Sequence, residues 1–491
     1  MASATGPMPG NVVYVVKENR TYDQILGDLD RGNGDPALAA FPDRLTPNHH
    51  ELARQFVTLD NFHDSGETSG VGWNWTMAGR TTDVIEKTQP VNYAGRGLSY
   101  DWEGTNRNLN MGMATAAERA AANPVLPAVA GAFPDLAGML PGAKDVSSPQ
   151  DAEGGTTYLW ENALRSGLTV RNYGCFGDLA RYVLPPPFDV FNVPLDRAPF
   201  QKGHVQFFPA SPGLLEHSDP FFRGFDMRLA DFWRVKEWER EFDGFVASAE
   251  LPALSLVRLP HDHTGSFADA LDGVDTPDTQ VADNDYALGL LVEKISQSRF
   301  ADDTLVFVIE DDAQDGPDHV DAHRSVAYVL GPYVRRGAVV SHHYTTVSMV
   351  RIIEDVLGLP HQGLTDGLAE PMVDVFERKA RPWPYHARVP AVLRATQLPV
   401  PGGRAERPRG STAFWARATA GMNFDREDAI DSARLNEIMW AGLMGSARYP
   451  EVRHGKDLSR HREQLLRNHA NRAKASRRDP KQVALSSVNE P

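Results

Sequence analysis

Asp311-Asp312 follows directly on the apolar run Thr304-Leu305-Val306-Phe307-Val308-Ile309-Glu310. Two neighbouring carboxylates at the end of a buried strand are costly unless a cation neutralises them, and hard divalent cations take oxygen ligands. Glu18-Asn19 closes a second run, Val12–Val16; its carboxylate supplies charge for a cation, and its amide can bind either a metal or a phosphoryl oxygen. A third run, Leu254–Leu259, opens into His261-Asp262-His263-Thr264, and His342-His343-Tyr344-Thr345 lies further on. Imidazoles near a phosphoryl centre can neutralise its charge or protonate a leaving oxygen. Thr68 and Ser69 stand where a helix should open. A hydroxyl there gains from the N–H groups and positive dipole end that favour phosphate, and a nearby cation can make it a nucleophile. The set describes a hydrolytic metal site.

Each signal also has a plainer explanation. Glu18-Asn19 could be a polar turn, and Thr68 or Ser69 a helix cap. The loop that continues through Asp315, Asp318, His319, Asp321 and His323 could be solvated; as a metal site, its imidazoles widen the choice to Mn, Fe or Zn. His49-His50 and His63 read as structural, and His217 as an outside candidate within His217-Ser218-Asp219-Pro220.

Short runs rich in Val and Ile predict buried strands of a mostly parallel sheet in an α/β fold. Ligands then bind beyond the carboxyl ends of the strands, where all three runs place their polar residues. Further strands are expected over 56–62 and 168–173, and helices over 69–80, 158–164 and 283–300. Ser348 is the expected N-cap of a helix over 349–357, ended by Gly358. Gly, Pro and weak periodicity mark loop-rich insertions near 84–155 and 176–250. Within the latter, 184–226 is a candidate lid; its Phe188, Phe191, Phe200, Phe207, Phe208, Phe221, Phe222 and Phe225 suit a lipid or small local cores. One domain over 11–445 is expected to precede a basic, partly disordered tail over 446–491.

At 491 residues, 41% apolar and 23% charged, the chain is long enough for one large α/β domain. A formal charge of -15 disfavours nonspecific nucleic-acid binding. The single Cys175 allows no intrachain disulfide. No run approaches the about 18 apolar residues of a membrane span. The first ten residues lack the basic start and apolar core of a signal peptide.

These motifs resemble those of the bacterial phosphoesterase family that contains acid phosphatases and phosphatidylcholine-type phospholipases C, within the alkaline phosphatase superfamily. Glu18-Asn19-Arg20-Thr21-Tyr22-Asp23 is similar to its opening E-N-R-S/T-Y/F-D signature. The stretch from Val308 to Val320 matches, without a gap, the phospholipase pattern I-T-Y-D-E-N-G-G-F-F-D-H-V. Leu259-Pro260-His261-Asp262-His263-Thr264 resembles L-P-x-D-H-T, and Gly331–Tyr344 resembles S-P-Y-V-x-R-G through H-Y. Residues 423–440 are similar to a recurring C-terminal segment. The likeness spans roughly 11–445.

The resemblance implies an alkaline phosphatase-like sheet and a divalent metal (Ca, Mg, Mn, Fe or Zn) held by Glu18 and/or Asn19, Asp311, Asp312 and the nucleophile. Matching the family's helix places that nucleophile on Ser69, because Ala78-Gly79 then falls on its small Ser-Gly pair; Thr68 is the alternative. His263 and His343 would hold the phosphoryl group, with Asn19 also on the substrate side. Val71 departs from relatives that carry an acid two residues after the serine. The implied activity is phosphate ester hydrolysis through a phosphoseryl intermediate, as an acid phosphatase-like phosphomonoesterase or a phospholipase C-type diesterase acting on phospholipid head groups. A non-catalytic interaction module that kept the fold is the reading from another class. Relatives are exported, which implies a periplasmic or extracellular enzyme acting on a small-molecule or lipid phosphate ester.

Overall fold

The computed structural model describes residues 9–81, 158–179, 194–209, 212–314, 316–424 and 430–450. The expected insertion at 84–155, most of the tail and Asp315 lie outside these residues. The chain divides into two units, Met1–Gly445 and Ser446–Pro491, and the sheet and the candidate site belong to the first.

Its strands run in chain order as β1 (Asn11–Lys17), β2 (Val57–Leu59), β3 (Phe62–His63), β4 (Val170–Tyr173), β5 (Gly177–Leu179) and β6 (Phe207–Pro209). After these come β7 (Leu254–Leu259), β8 (Thr304–Glu310), β9 (Ala327–Leu330), β10 (Ala338–Val340) and β11 (Tyr344–Thr345). Five form the central sheet in the order β4-β7-β1-β8-β9. The first four are parallel and β9 closes the edge antiparallel to β8. The molecule is therefore α/β, with a mostly parallel sheet flanked by helices. Continuous Val/Ile/Leu runs are what such a sheet demands, since each central strand is covered on both faces. β7 and β8 are buried along their whole length, and β1 from Val12 onward.

Register decides where the polar residues emerge. Lys17, the last residue of β1, lies opposite Leu259 of β7 and Glu310 of β8. The three strands stop at one level, so Glu18-Asn19, His261-Asp262-His263 and Asp311-Asp312 leave the sheet side by side. The Asp311 N–H donates to the Lys17 carbonyl at 3.0 Å, extending the ladder one residue into the acidic loop.

Helices cover the sheet. The Tyr14 hydroxyl donates to the Thr76 carbonyl at 3.1 Å, fixing β1 to the Ser69–Ala78 helix. The Asp231–Ser248 and Pro277–Ser296 helices add further cover. The first of these falls inside a stretch expected to be loop-rich. Its Phe232, Val235, Trp238 and Phe242 are buried, a helical spacing that ties the segment to the core.

Three further local expectations change. The run 56–62 is not one strand: it splits at Asp60-Asn61 into β2, paired with β10, and β3, paired with β11. The helix expected from Met349 begins three residues earlier, as Thr346–Leu357, with Thr345 as its N-cap. Ser348 instead reaches back to the Thr345 N–H at 3.3 Å, completing a capping box. Of the aromatic residues expected in a lid, Phe207, Phe222 and Phe225 are buried, and Phe222 joins the main hydrophobic core.

Candidate active site

Ser69 is the first residue of its helix, fully buried, and its hydroxyl donates to Asp312 Oδ2 at 3.0 Å. Thr68, the alternative, is the N-cap residue, yet its hydroxyl makes no capping bond and has no hydrogen-bond partner. Glycines let this helix come so close. A Cβ at position 72 would collide with the Asp311 carbonyl, and one at position 66 would collide with the Gly72 backbone. The helix opening and the acidic loop are in backbone contact.

Asn19 stands two residues past the last paired position of β1, as Asp312 does on β8. Its φ of 69° is left-handed, a conformation Asn tolerates better than most residues. The side chain is buried, and neither its Oδ1 nor its Nδ2 has a hydrogen-bond partner. A buried amide in that state calls for a ligand. Thr264 (φ 63°), Ser266 (φ 48°) and Gln314 (φ 44°) are also left-handed, so strain gathers on the loops that leave β1, β7 and β8. Such clustering marks functional loops more often than ordinary turns.

Beneath the loops lies a charged network that sequence reasoning missed. Lys17, fully buried, sits 2.7 Å from Asp262 Oδ2 and 2.6 Å from Glu310 Oε1. Burial works against its charge, but the two carboxylates outweigh it and raise its pKa. Burial and then Asp262 push Glu310 up to about 8, with Lys17 pulling it back. Asp64 is raised far above the carboxylate range by burial and by Glu310. Glu18 Oε1 accepts from the Arg258 guanidinium, which lies over the rings of Trp73 and Phe225. The Glu18 N–H donates to Asp262 Oδ1 at 3.1 Å, and Arg20 donates to the carbonyls of Asp262 and His263. These contacts lock the three strand ends together. They commit one Glu18 oxygen to Arg258. A charge inside an apolar run, as Lys17 is, was the available signal.

The histidines separate. His263 is buried, its Nδ1–H donating to the Thr264 carbonyl at 3.1 Å, with Phe225 edge-on at 5.1 Å. That tautomer makes Nε2 the basic nitrogen. Its neighbour His261 is structural, with both ring nitrogens engaged by Asp283 and the Met227 carbonyl. His343 is exposed and lies against His63, with ring centroids 4.8 Å apart. Read as structural from sequence, His63 thus becomes the contact of a candidate site residue. It precedes the Ser69 loop, and the Ser65 N–H donates to Thr346 Oγ1 at 3.1 Å, so the His343 segment is moored to that loop. Burial first, and His343 second, hold His63 down to about 4.

The rest of the acidic loop does other work. Asp318 and Asp23 both accept from the fully buried Arg324. His319 donates to Asp23 Oδ2 through its N–H at 2.8 Å, and its Nδ1 lies 2.5 Å from the same oxygen. Arg324 also holds the carbonyls of Asn33 and Asp60 and lies over the Tyr22 ring. Asp321 and His323 pair with each other at the surface.

The residues fit a divalent cation at Asn19, Asp311 and Asp312. The site offers two buried carboxylates, a buried amide without a partner and an adjacent hydroxyl, an oxygen-rich donor set of the kind hard cations take.

No family model matches the chain, and no curated protein matches it. Among solved structures it is similar to a protein of the alkaline phosphatase superfamily from Vibrio parahaemolyticus, at 14% identity over 73% of this chain and 68% of that one, with a TM-score of 0.38. It is similar to the lipoteichoic acid synthase LtaP from Listeria monocytogenes, at 9% identity over 74% and 76%, with a TM-score of 0.41. A phosphonate monoester hydrolase of Agrobacterium radiobacter gives 12% identity over 76% and 78%, with a TM-score of 0.36.

Proposed function

We propose that this protein is a metal-dependent phosphoesterase that works through a phosphoseryl intermediate, with Ser69 as nucleophile. The observation that carries this is the 3.0 Å hydrogen bond from Ser69 to Asp312, made at a helix opening where three strand ends converge. A divalent cation held by Asn19, Asp311 and Asp312 would supply Lewis-acid stabilisation of charge on the substrate and on the serine oxygen.

The chain's own residues account for the remaining steps. Asp312 orients the Ser69 hydroxyl and accepts from it before attack. Ser69 Oγ attacks phosphorus in line, the ester oxygen leaves, and water then displaces the serine to release phosphate. The start of the Ser69–Ala78 helix directs its positive dipole end at the phosphoryl oxygens. His263, donating through Nε2 once that nitrogen carries a proton, and His343 hold the phosphoryl group. Lys17, Arg20 and Arg258 fix the loops that present these groups. The described residues include no helix long and apolar enough to cross a membrane; a periplasmic or extracellular location goes with the family resemblance.

Phosphate release from p-nitrophenyl phosphate, and phosphocholine release from phosphatidylcholine, each with and without chelator, tests the reading. Chelator-sensitive turnover of the monoester supports it. Turnover of phosphatidylcholine alone would move the enzyme to the phospholipase C-type class, and no turnover of any phosphate ester would leave the non-catalytic module.

A further inference from the structure

The Ser69–Ala78 helix has a second end, and acidic residues meet there too. Glu354 lies in the last turn of the Thr346–Leu357 helix, and Asp366 in the short Leu364–Leu368 helix; both are fully buried. His361 Nδ1 lies 3.0 Å from Glu354 Oε2. One ligand atom from each of Glu354, His361 and Asp366 falls within 4.8 Å of the others. An ideal Cβ at Gly79 would touch the Asp366 Cβ at 3.4 Å, and Gln362 Nε2 reaches the Met77 carbonyl at 3.4 Å. The cluster therefore sits against the carbonyl end of the serine helix, about 15 Å along it from Ser69.

Four observations single this cluster out. Glu354 Oε1 and the Gln362 side-chain oxygen are buried and have no hydrogen-bond partner. Asp366 presses on the Glu354 carboxyl; burial and then Asp366 push it up to about 9. Both flanking helices end here, at Gly79 and Gly358, and helix C-termini carry partial negative charge. One neighbouring guanidinium is already committed: Arg351 pairs with Asp355 at 2.9 Å and donates to the carbonyls of Asp366 and Gly367. Asp366 is held in place by the Gln362 and Gly363 N–H groups at 2.5 and 2.8 Å. Two buried carboxylates this close need a shared proton, a proton on the adjacent His361, or a cation. The exposed His361 gives a route in from solvent.

We infer that Glu354, His361 and Asp366, with the Gln362 amide oxygen, form a second divalent-cation site that is structural and separate from the Asp311–Asp312 centre. One imidazole, two carboxylates and an amide oxygen suit Zn²⁺ or Mn²⁺. The cation would pin the trailing ends of two helices whose leading ends carry Ser69 and the His343-Tyr344-Thr345 segment. The inference does not depend on the phosphoesterase reading.

Full-length protein stripped of metal and titrated with Zn²⁺ alone, with bound metal and melting temperature followed together, tests it. Wild type should bind two equivalents, and Glu354→Gln one, with loss of the melting-temperature gain that the second equivalent brings. His361→Ala, a surface change with little risk to folding, should weaken that equivalent by tenfold or more. If wild type binds only what Asp311→Asn/Asp312→Asn removes, protonation alone explains the cluster and the inference falls. It falls equally if Glu354→Gln and His361→Ala both keep the second equivalent at full affinity. A single equivalent that Glu354→Gln removes and the Asp311/Asp312 variant keeps would support this site while sinking the catalytic one.

Discussion

The loop that leaves β8 holds two kinds of acid within a dozen residues. Asp318 is answered by Arg324, which is buried with it and also binds Asp23 and two backbone carbonyls. Asp312, six residues earlier, accepts from a serine hydroxyl that opens a helix. Acids whose charge is met inside the protein build structure. On the proposed reading, the acids beside the Ser69 hydroxyl are arranged for something that arrives. Density of Asp and His along the sequence does not separate the two, but the partners do.

On the proposed reading, the largest effect should come from Asp311-Asp312. Asp311→Asn with Asp312→Asn should remove the metal bound there and lower turnover on the order of 10³-fold or more, the loss of several kcal/mol of transition-state stabilisation. Circular dichroism should show the fold retained. Unchanged metal content in the double variant would erase the distinction between the two halves.

His263→Ala and His343→Ala should each lower turnover on the order of 10²–10⁴-fold without metal loss. Loss of metal in either variant would move that histidine into the coordination shell.

The structural half should fail differently. Arg324→Met leaves Asp23 and Asp318 buried without their guanidinium, so denaturant unfolding should show a loss of about 3–5 kcal/mol. Metal stoichiometry of the folded fraction should stay at the wild-type value. Metal loss without loss of stability would reverse the roles of the two halves.

The smallest effect lies at the histidine pair between them. His63 has a folded-state pKa of about 4, below the unfolded value. Between pH 6.5 and 4 the unfolded chain therefore binds the proton first, and stability falls as pH falls through that window. Asp321, from the structural half of the loop, opposes the shift. His63→Gln should flatten the dependence in urea melts, and an unchanged slope would show that His63 does not cause it.

Much of the sheet is legible in the sequence because its strands are continuous apolar runs with polar ends, and a parallel sheet fixes where those ends must open. The same logic places Asn19 beside the Asp311-Asp312 loop once Lys17 lies opposite Glu310; Ser69 opens a helix outside the sheet, and only the family resemblance implies it. The charge network is not legible. Arg258 meets Glu18 across 240 positions and Arg324 meets Asp23 across 301, pairings set by tertiary register that leave no local pattern. Short elements are also hidden. β2 and β3 read as one strand because Asp60-Asn61 looks like a brief interruption, whereas each half pairs with a different partner. Ser348 fits the apolar periodicity as well as Thr345 does, so the pattern alone does not choose the N-cap. The role of Gly72 shows only once the Asp311 carbonyl lies against it.

The central claim is that Ser69 carries the phosphoryl group. Enzyme mixed with a phosphate ester, quenched in acid and digested, should yield one phosphopeptide with the phosphate on Ser69. Ser69→Ala should give none, while Thr68→Ala still forms it. Phosphate on Thr68, or a covalent adduct that persists in Ser69→Ala, would contradict the account.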